Sequence, residues 1–345
     1  MSSSYNFTVG SDDYGYDSIS SYTFSGSDRP DVYQRSKLSA TIYNIALVVI
    51  LVFGVIANTA VLSLVAFVRE LRGSSNVFIS MLCASNILML VTIIPLDLVD
   101  QDSFKLPPAI ANLKHYILLY CCTLSVLSLV MLSFERWCAV VRPTWHNVIG
   151  IGWKVGTVFI LGALLALPYA FTYDRSGGIR AKDFRDFLAY YGFVVLYVVP
   201  LAIIFCMYVF VAITLCKQSK PIKESVKRNK KARAGRTRIA RVVICLAICF
   251  AVCWLPFHLL VIFAMFDESH DKPSDATVLL LHWRTCFQMF NTCCDPLSIF
   301  LMGSRFRRHL LSGISRIFHV PLNLRTTLGR SRRDPSTSAT MVQMK

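Results

Sequence analysis

Apolar residues come in seven long blocks along this chain, at about 40–68, 75–99, 109–141, 150–173, 187–216, 238–266 and 275–302, separated by short polar connectors. Roughly 20 residues of helix cover the hydrocarbon core of a bilayer, and every block reaches that length. Lipid offers no partner to backbone N–H and C=O groups, so a spanning block must satisfy them internally. The pattern therefore predicts an all-α membrane protein, a seven-transmembrane helix bundle. Pro95, Pro168, Pro200, Pro256 and Pro296 place one break in each of five spans, since proline removes a helix hydrogen bond and kinks the axis. Past the last block, Gly303-Ser304-Arg305-Phe306-Arg307-Arg308 opens a basic stretch with Phe306, Leu310, Leu311 and Ile314 on one face. That is the pattern of a short amphipathic helix lying on the membrane surface. The expected organisation is an extracellular disordered tail over 1–38, the bundle over 39–303, the surface helix over 304–316 and a cytoplasmic tail over 317–345.

Charge sets the expected orientation. The chain is 54% hydrophobic yet carries a net charge of +16. In a soluble protein that excess would suggest nucleic acid, but there is no soluble fold here to carry it. Lys and Arg crowd into 217–241 and 305–333, whereas acids collect at Asp12, Asp13 and Asp17, at Asp97, Asp100 and Asp102, and at Asp267, Glu268 and Asp271. The positive-inside rule then makes the basic segments cytoplasmic and the N-terminus extracellular, at the plasma membrane. No cleavable leader is visible in the polar opening, so the first block is expected to act as its own insertion signal. Asn6-Phe7-Thr8 fits a glycosylation sequon. The twelve cysteines fall in or beside apolar blocks without metal-ligand spacing, so neither a metal site nor a disulfide is expected. The seven histidines are scattered, which leaves no catalytic cluster and speaks against an enzyme.

Polar residues inside lipid-spanning blocks are costly and mark functional positions. Asn58 lies in the first block, Asn86 and Asp97 in the second, His115 and Ser125 in the third, Tyr208 in the fifth, and His282, Arg284, Asn291 and Asp295 in the seventh. The third block ends S-F-E-R-W-C-A-V-V-R-P over 133–143, with Glu135 and Arg136 adjacent. On its own this acid–base pair reads as an interfacial anchor that neutralises itself.

The pair belongs to a larger set. E-R-W-C-A-V-V-R-P resembles the E/D-R-Y motif of rhodopsin-like G-protein-coupled receptors, and G-V-I-A-N-T-A-V around Asn58 resembles their G-N-x-x-V. F-A-V-C-W-L-P-F-H from Phe250 to His258 and N-T-C-C-D-P-L-S-I-F from Asn291 to Phe300 match the sixth and seventh spans of that family in order and spacing. Several stretches, among them N-V-F-I-S, V-V-P-L-A-I-I and C-W-L-P-F-H, look like bombesin-type neuropeptide receptors. The resemblance implies an extracellular peptide ligand, a heterotrimeric G protein, and receptor kinases and arrestin acting on the tail, with membrane lipids around the bundle. It implies coupling and switch roles for Glu135, Arg136, Tyr208, Phe250, Trp254, Pro256, Asp295 and Pro296. Ligand candidates are Asp97, His115, His282 and Arg284, with Trp254 at the floor.

Departures from the family pattern carry expectations of their own. Ala111 stands where the family places a disulfide cysteine, and 173–187 contains no Cys. The usual second-span Asp is Asn86 and the usual Asn before the seventh-span proline is Asp295. This looks like an exchange of partners, with Asn58, Asn86, Ser125, Asn291 and Asp295 forming a small polar or sodium-binding site and no other cofactor. Ile299 replaces a tyrosine, Trp137 follows Arg136, and Arg236 stands where some members carry an acid. Raised basal activity follows, with a constitutive or decoy receptor as the alternative. A transporter or channel is the non-receptor alternative, but no internal repeat supports it.

Overall fold

The computed structural model describes residues 30–100, 106–142, 150–172, 182–217, 226–266 and 275–317, and every ordered element among them is helical. Helix α1 runs Pro30–Phe67, α2 Ser74–Asp100, α3 Pro108–Val141 and α4 Ile151–Ala166. A 3₁₀ segment, Leu167–Phe171, closes α4 around Pro168. Lys182–Tyr191, the π-helical Gly192–Val198 and Val199–Lys217 follow without a break as one rod, α5. Then come α6 Val226–Phe266, α7 Asp275–Met302 and the short α8 Ser304–Ile317.

Six of these helices carry stretches long and apolar enough to cross a membrane. The remaining long helix, α7, is less apolar because Gln288, Asn291, Thr292, Asp295 and Ser298 punctuate it, and all five are buried in the bundle. Large apolar side chains elsewhere face outward: Val49, Ile56, Ile160, Leu164, Phe205, Phe210 and Val252 are exposed. An apolar exterior around a partly polar interior is what lipid as solvent requires.

Helix ends depart from the apolar blocks. α1 begins at Pro30, ahead of its apolar stretch, so the last residues of the tail expected to be disordered are helical, and proline's fixed φ and missing N–H suit a first turn. α6 begins at Val226, inside the expected basic connector. Lys, Arg and Ala are good helix formers, so the helix outruns the hydropathy.

Helix α3 is the axis of the bundle, touching α2, α4, α5 and α6, while α1 packs on α2 and α7 and α8 folds back beneath α7 and α1. Its buried residues run almost unbroken from Leu119 to Leu129, as befits a helix surrounded on all sides. Gly162 lets α4 approach closely: a Cβ there would meet Leu124 Cδ2 at 3.2 Å, and its carbonyl accepts from Thr123 Oγ1 at 3.0 Å. Gly54 does the same where α1 meets α2 and α7, with Leu90 Cδ1 2.6 Å from where a Cβ would stand. Pro95, Pro256 and Pro296 lie inside α2, α6 and α7. Pro200 sits two residues beyond the π segment of α5, a wider turn that accommodates a residue without an N–H.

Candidate functional site

A polar chain crosses the middle of the bundle. Asn58 Nδ2 donates to the carbonyls of Gly54 and Thr292, both at 2.8 Å, and so joins α1 to α7. Asn86 Nδ2 donates to Asp295 Oδ2 at 2.9 Å and, more weakly, to Asn58 Oδ1 at 3.4 Å. Ser125 Oγ donates to Asn86 Oδ1 at 3.2 Å and lies 2.8 Å from Ser85 Oγ. Asn291 Nδ2 reaches the same Asp295 oxygen at 3.4 Å. All five residues expected to form this cluster meet in it, and the exchanged pair Asn86–Asp295 is in direct contact. Asp295 is fully buried and its carboxylate is held by amide donors from two helices, as a buried acid requires. Its Oδ1 and the Oδ1 of Asn291 have no hydrogen-bond partner among the described residues. Ser85 and Thr292 belong to the chain too, and only three-dimensional adjacency reveals them.

Toward the Asp97 end, an aromatic stack couples α5 to α6. Phe250 and Trp254 lie 5.7 Å apart, Tyr197 sits 6.0 Å from Phe250, and His258 sits 5.0 Å from Tyr197. Tyr197 OH donates to the Ala251 carbonyl at 2.8 Å, in the stretch that the Pro256 ring loosens. The buried Trp254 Nε1 and Gln288 Nε2 have no hydrogen-bond partner among the described residues. Tyr197, His258 and Gln288 were not singled out by the sequence motifs.

Nearer the mouth, Asp97 does not wait for a basic ligand group. It forms an ion pair with Lys114 of α3 at 2.7 Å, both side chains mostly buried. Tyr43 of α1 packs edge-on against Trp283 and has Asp97 and Arg284 as charged neighbours, so two of the expected ligand residues share one region. His115 Nδ1 lies 2.9 Å from the carbonyl of Ala111 on its own helix. The side chain of His282 lies outside the described residues, as do Asn6 and the side chain of Arg236.

At the other end Glu135 remains an attractive charge beside Arg136, and the structure gives it further partners. The Glu135 carboxylate pairs with Lys154 of α4 and accepts from Ser74 Oγ of α2 at 3.1 Å. Lys154, which sequence reasoning passed over, is buried. Among the described residues Arg136 forms no ion pair and its buried Nε has no hydrogen-bond partner, while Tyr208 has Arg136 and Ser133 as polar neighbours. Ile299 is completely buried in apolar packing. Arg308 and His309 of α8 reach Glu70 at 3.0 and 3.3 Å, tying α8 to the turn after α1.

A seven-helix membrane bundle with a buried arginine at one end, a proline inside an aromatic-rich helix and a polar core is the architecture of a membrane receptor. The profile of the seven-transmembrane receptor family of rhodopsin type matches residues 57–298, and the chain belongs to that family of multi-pass, G-protein-coupled receptors. The transporter, channel and enzyme readings give way to it. The chain is 28% identical to the [Phe13]-bombesin receptor of Bombina orientalis over 286 residues, which cover 76% of this chain and 73% of that one. It is 26% identical to bombesin receptor subtype-3 of Ovis aries over 285 residues, covering 76% and 71%.

Proposed function

We propose that the ligand is an extracellular peptide that enters at the Asp97 end, with the N-terminus outside the cell and the C-terminus in the cytoplasm. The observation that carries this reading is the mouth itself, where Asp97, Lys114 and Arg284 offer both signs of charge in one region. A peptide brings charged termini and side chains of both signs, and can exchange partners with the pair. The similarity to two proteins named as bombesin receptors supports a peptide as well. A small amine fits less well, because apolar Leu118 stands where it would need a carboxylate.

Binding favours one of two helix arrangements and shifts the population toward it. The stack of Tyr197, Phe250, Trp254 and His258 spans α5 and α6, so pressure on Trp254 repacks the contact next to the Pro256 kink. Parting of the helices at the far end then presents Arg136 and Tyr208 to the G protein. With Arg136 in no direct ion pair among the described residues, basal activity is raised. Asp295 and Asn291, each with an oxygen unpaired among the described residues, would hold a sodium ion and favour the arrangement in which the core is closed. Receptor kinases and arrestin would act on the Ser- and Thr-bearing tail, outside the described residues.

A peptide library screened by G-protein dissociation tests the reading, with Arg136→Ala as the control that must abolish the response. Unliganded signalling no higher than in mock-transfected cells would refute the raised basal activity.

A further inference from the structure

Thiols line the seam between α6 and α7. Cys245, Cys249 and Cys253 recur every four residues along α6, and Cys294 and Ser298 lie four apart on α7, so each set shares a helix face. The two helices pack along one another, and these faces meet. Ser298 Oγ lies 3.4 Å from both Cys245 Sγ and Cys249 Sγ. The Cys294 thiol is hydrogen-bonded with those of Cys249 and Cys253. All of these cysteines are free. Among the described residues no group of His, Cys, Asp and Glu side chains is placed to hold a metal ion, so the cluster is not read as a metal site. Cys253 is buried, whereas Cys249 and Cys294 are half-buried. Ile248, Val252 and Leu297 beside them are exposed and apolar, so the seam opens toward the acyl chains. Cys249 adjoins Phe250, and Cys294 adjoins Asp295 and Pro296.

We infer that Cys249 and Cys294 are an oxidation site for lipid hydroperoxides, and that the disulfide formed there fastens α6 to α7. A hydroperoxide carried in the bilayer gives its terminal oxygen to the Cys249 sulfur. That leaves a sulfenic acid, and the thiol proton passes to the departing alkoxide to make the lipid alcohol. Ser298 Oγ is in reach to relay that proton. The Cys294 sulfur then attacks the sulfenic sulfur, water leaves, and the two sulfurs are joined. One hydroperoxide and two thiols thus give one disulfide, one alcohol and one water. The bridge holds the arrangement in which Arg136 Nε is buried. This consequence rests on the proposed function, in which the helices part to present Arg136.

The test treats full-length receptor in nanodiscs with cumene hydroperoxide, a membrane-soluble probe. Peptides are mapped without reduction, and nucleotide exchange on purified G protein is read in the unliganded state. Expected are a Cys249–Cys294 crosslink and exchange lowered about fivefold, the lower end of ordinary allosteric coupling. A phosphine reductant reverses both. Cys249→Ser and Cys294→Ser each abolish both effects, whereas Cys206→Ser, at an exposed position on α5, abolishes neither. If a serine variant fails to reach the membrane, the alanine variant takes its place. Absence of the crosslink, or an equal fall in exchange in Cys294→Ser, overturns the oxidation site. A crosslink that forms with exchange unchanged supports the site and overturns the helix parting on which the lock depends. No unliganded exchange before treatment refutes the raised basal activity alone, and the crosslink still decides the site.

Discussion

Asn86→Asp places a second carboxylate against Asp295 in a fully buried setting. The Asn86 Nδ2 donor, 2.9 Å from Asp295 Oδ2, disappears together with its weaker bond to Asn58 Oδ1. A hydrogen bond to a charged group contributes about 1.5–3 kcal/mol. Two acids in contact cannot both ionise, so one must be held neutral or both must separate. The expected loss is about 3–5 kcal/mol, the size found when a buried charge loses its partner. Adding Asp295→Asn swaps donor and acceptor across the same contact and returns most of it. Asp295→Asn alone costs less, because two amides can still pair. Thermal denaturation of the four solubilised receptors, followed by fluorescence-detected size exclusion, gives the double-mutant cycle. A coupling energy of about 2 kcal/mol or more in favour of the double variant is expected. A double variant no more stable than the sum of the singles would refute the partner exchange.

Gly54→Val drives a branched side chain into Leu90, whose Cδ1 lies 2.6 Å from the Cβ position, and lowers thermal stability by about 1–3 kcal/mol; unchanged stability would show that α1 and α2 are not closely apposed. Lys114→Met leaves Asp97 mostly buried and unpaired, costing about 2 kcal/mol after allowance for partial exposure. Asp97→Asn in that background recovers part of the loss in the same melt. Tyr197→Phe removes the 2.8 Å bond to the Ala251 carbonyl, for about 1 kcal/mol. Its signature is a shift in basal G-protein activation at equal surface expression, since the bond links α5 to the kinked part of α6.

What could be read in the sequence followed from cost. Asp295 was legible because a charge in the seventh block demands a partner, and the resemblance to the receptor family, whose second-span acid is Asn86 here, pointed to where that partner would be. Lys154 obeyed the same rule, yet it lies four residues from a connector, where a lysine passes for a surface anchor. Lys114 escaped for the same reason, lying in the second turn of α3. His258 appeared in a quoted motif, but its stacking on Tyr197 depends on how the π segment Gly192–Val198 rotates α5. Nothing in a linear pattern of apolar residues reports that rotation. The starts of α1 and α6 were missed because hydropathy measures what lies in lipid, whereas backbone propensity decides how far a helix runs beyond it.

The clasp between α2 and α3 has a practical side. A sulfur–sulfur bridge at this height would answer to reductants, whereas the Asp97–Lys114 contact answers to charge. Thiol-containing buffers should leave the vestibule of this receptor intact. An arriving peptide terminus can trade places with either partner without chemistry, so admission becomes a competition among ions.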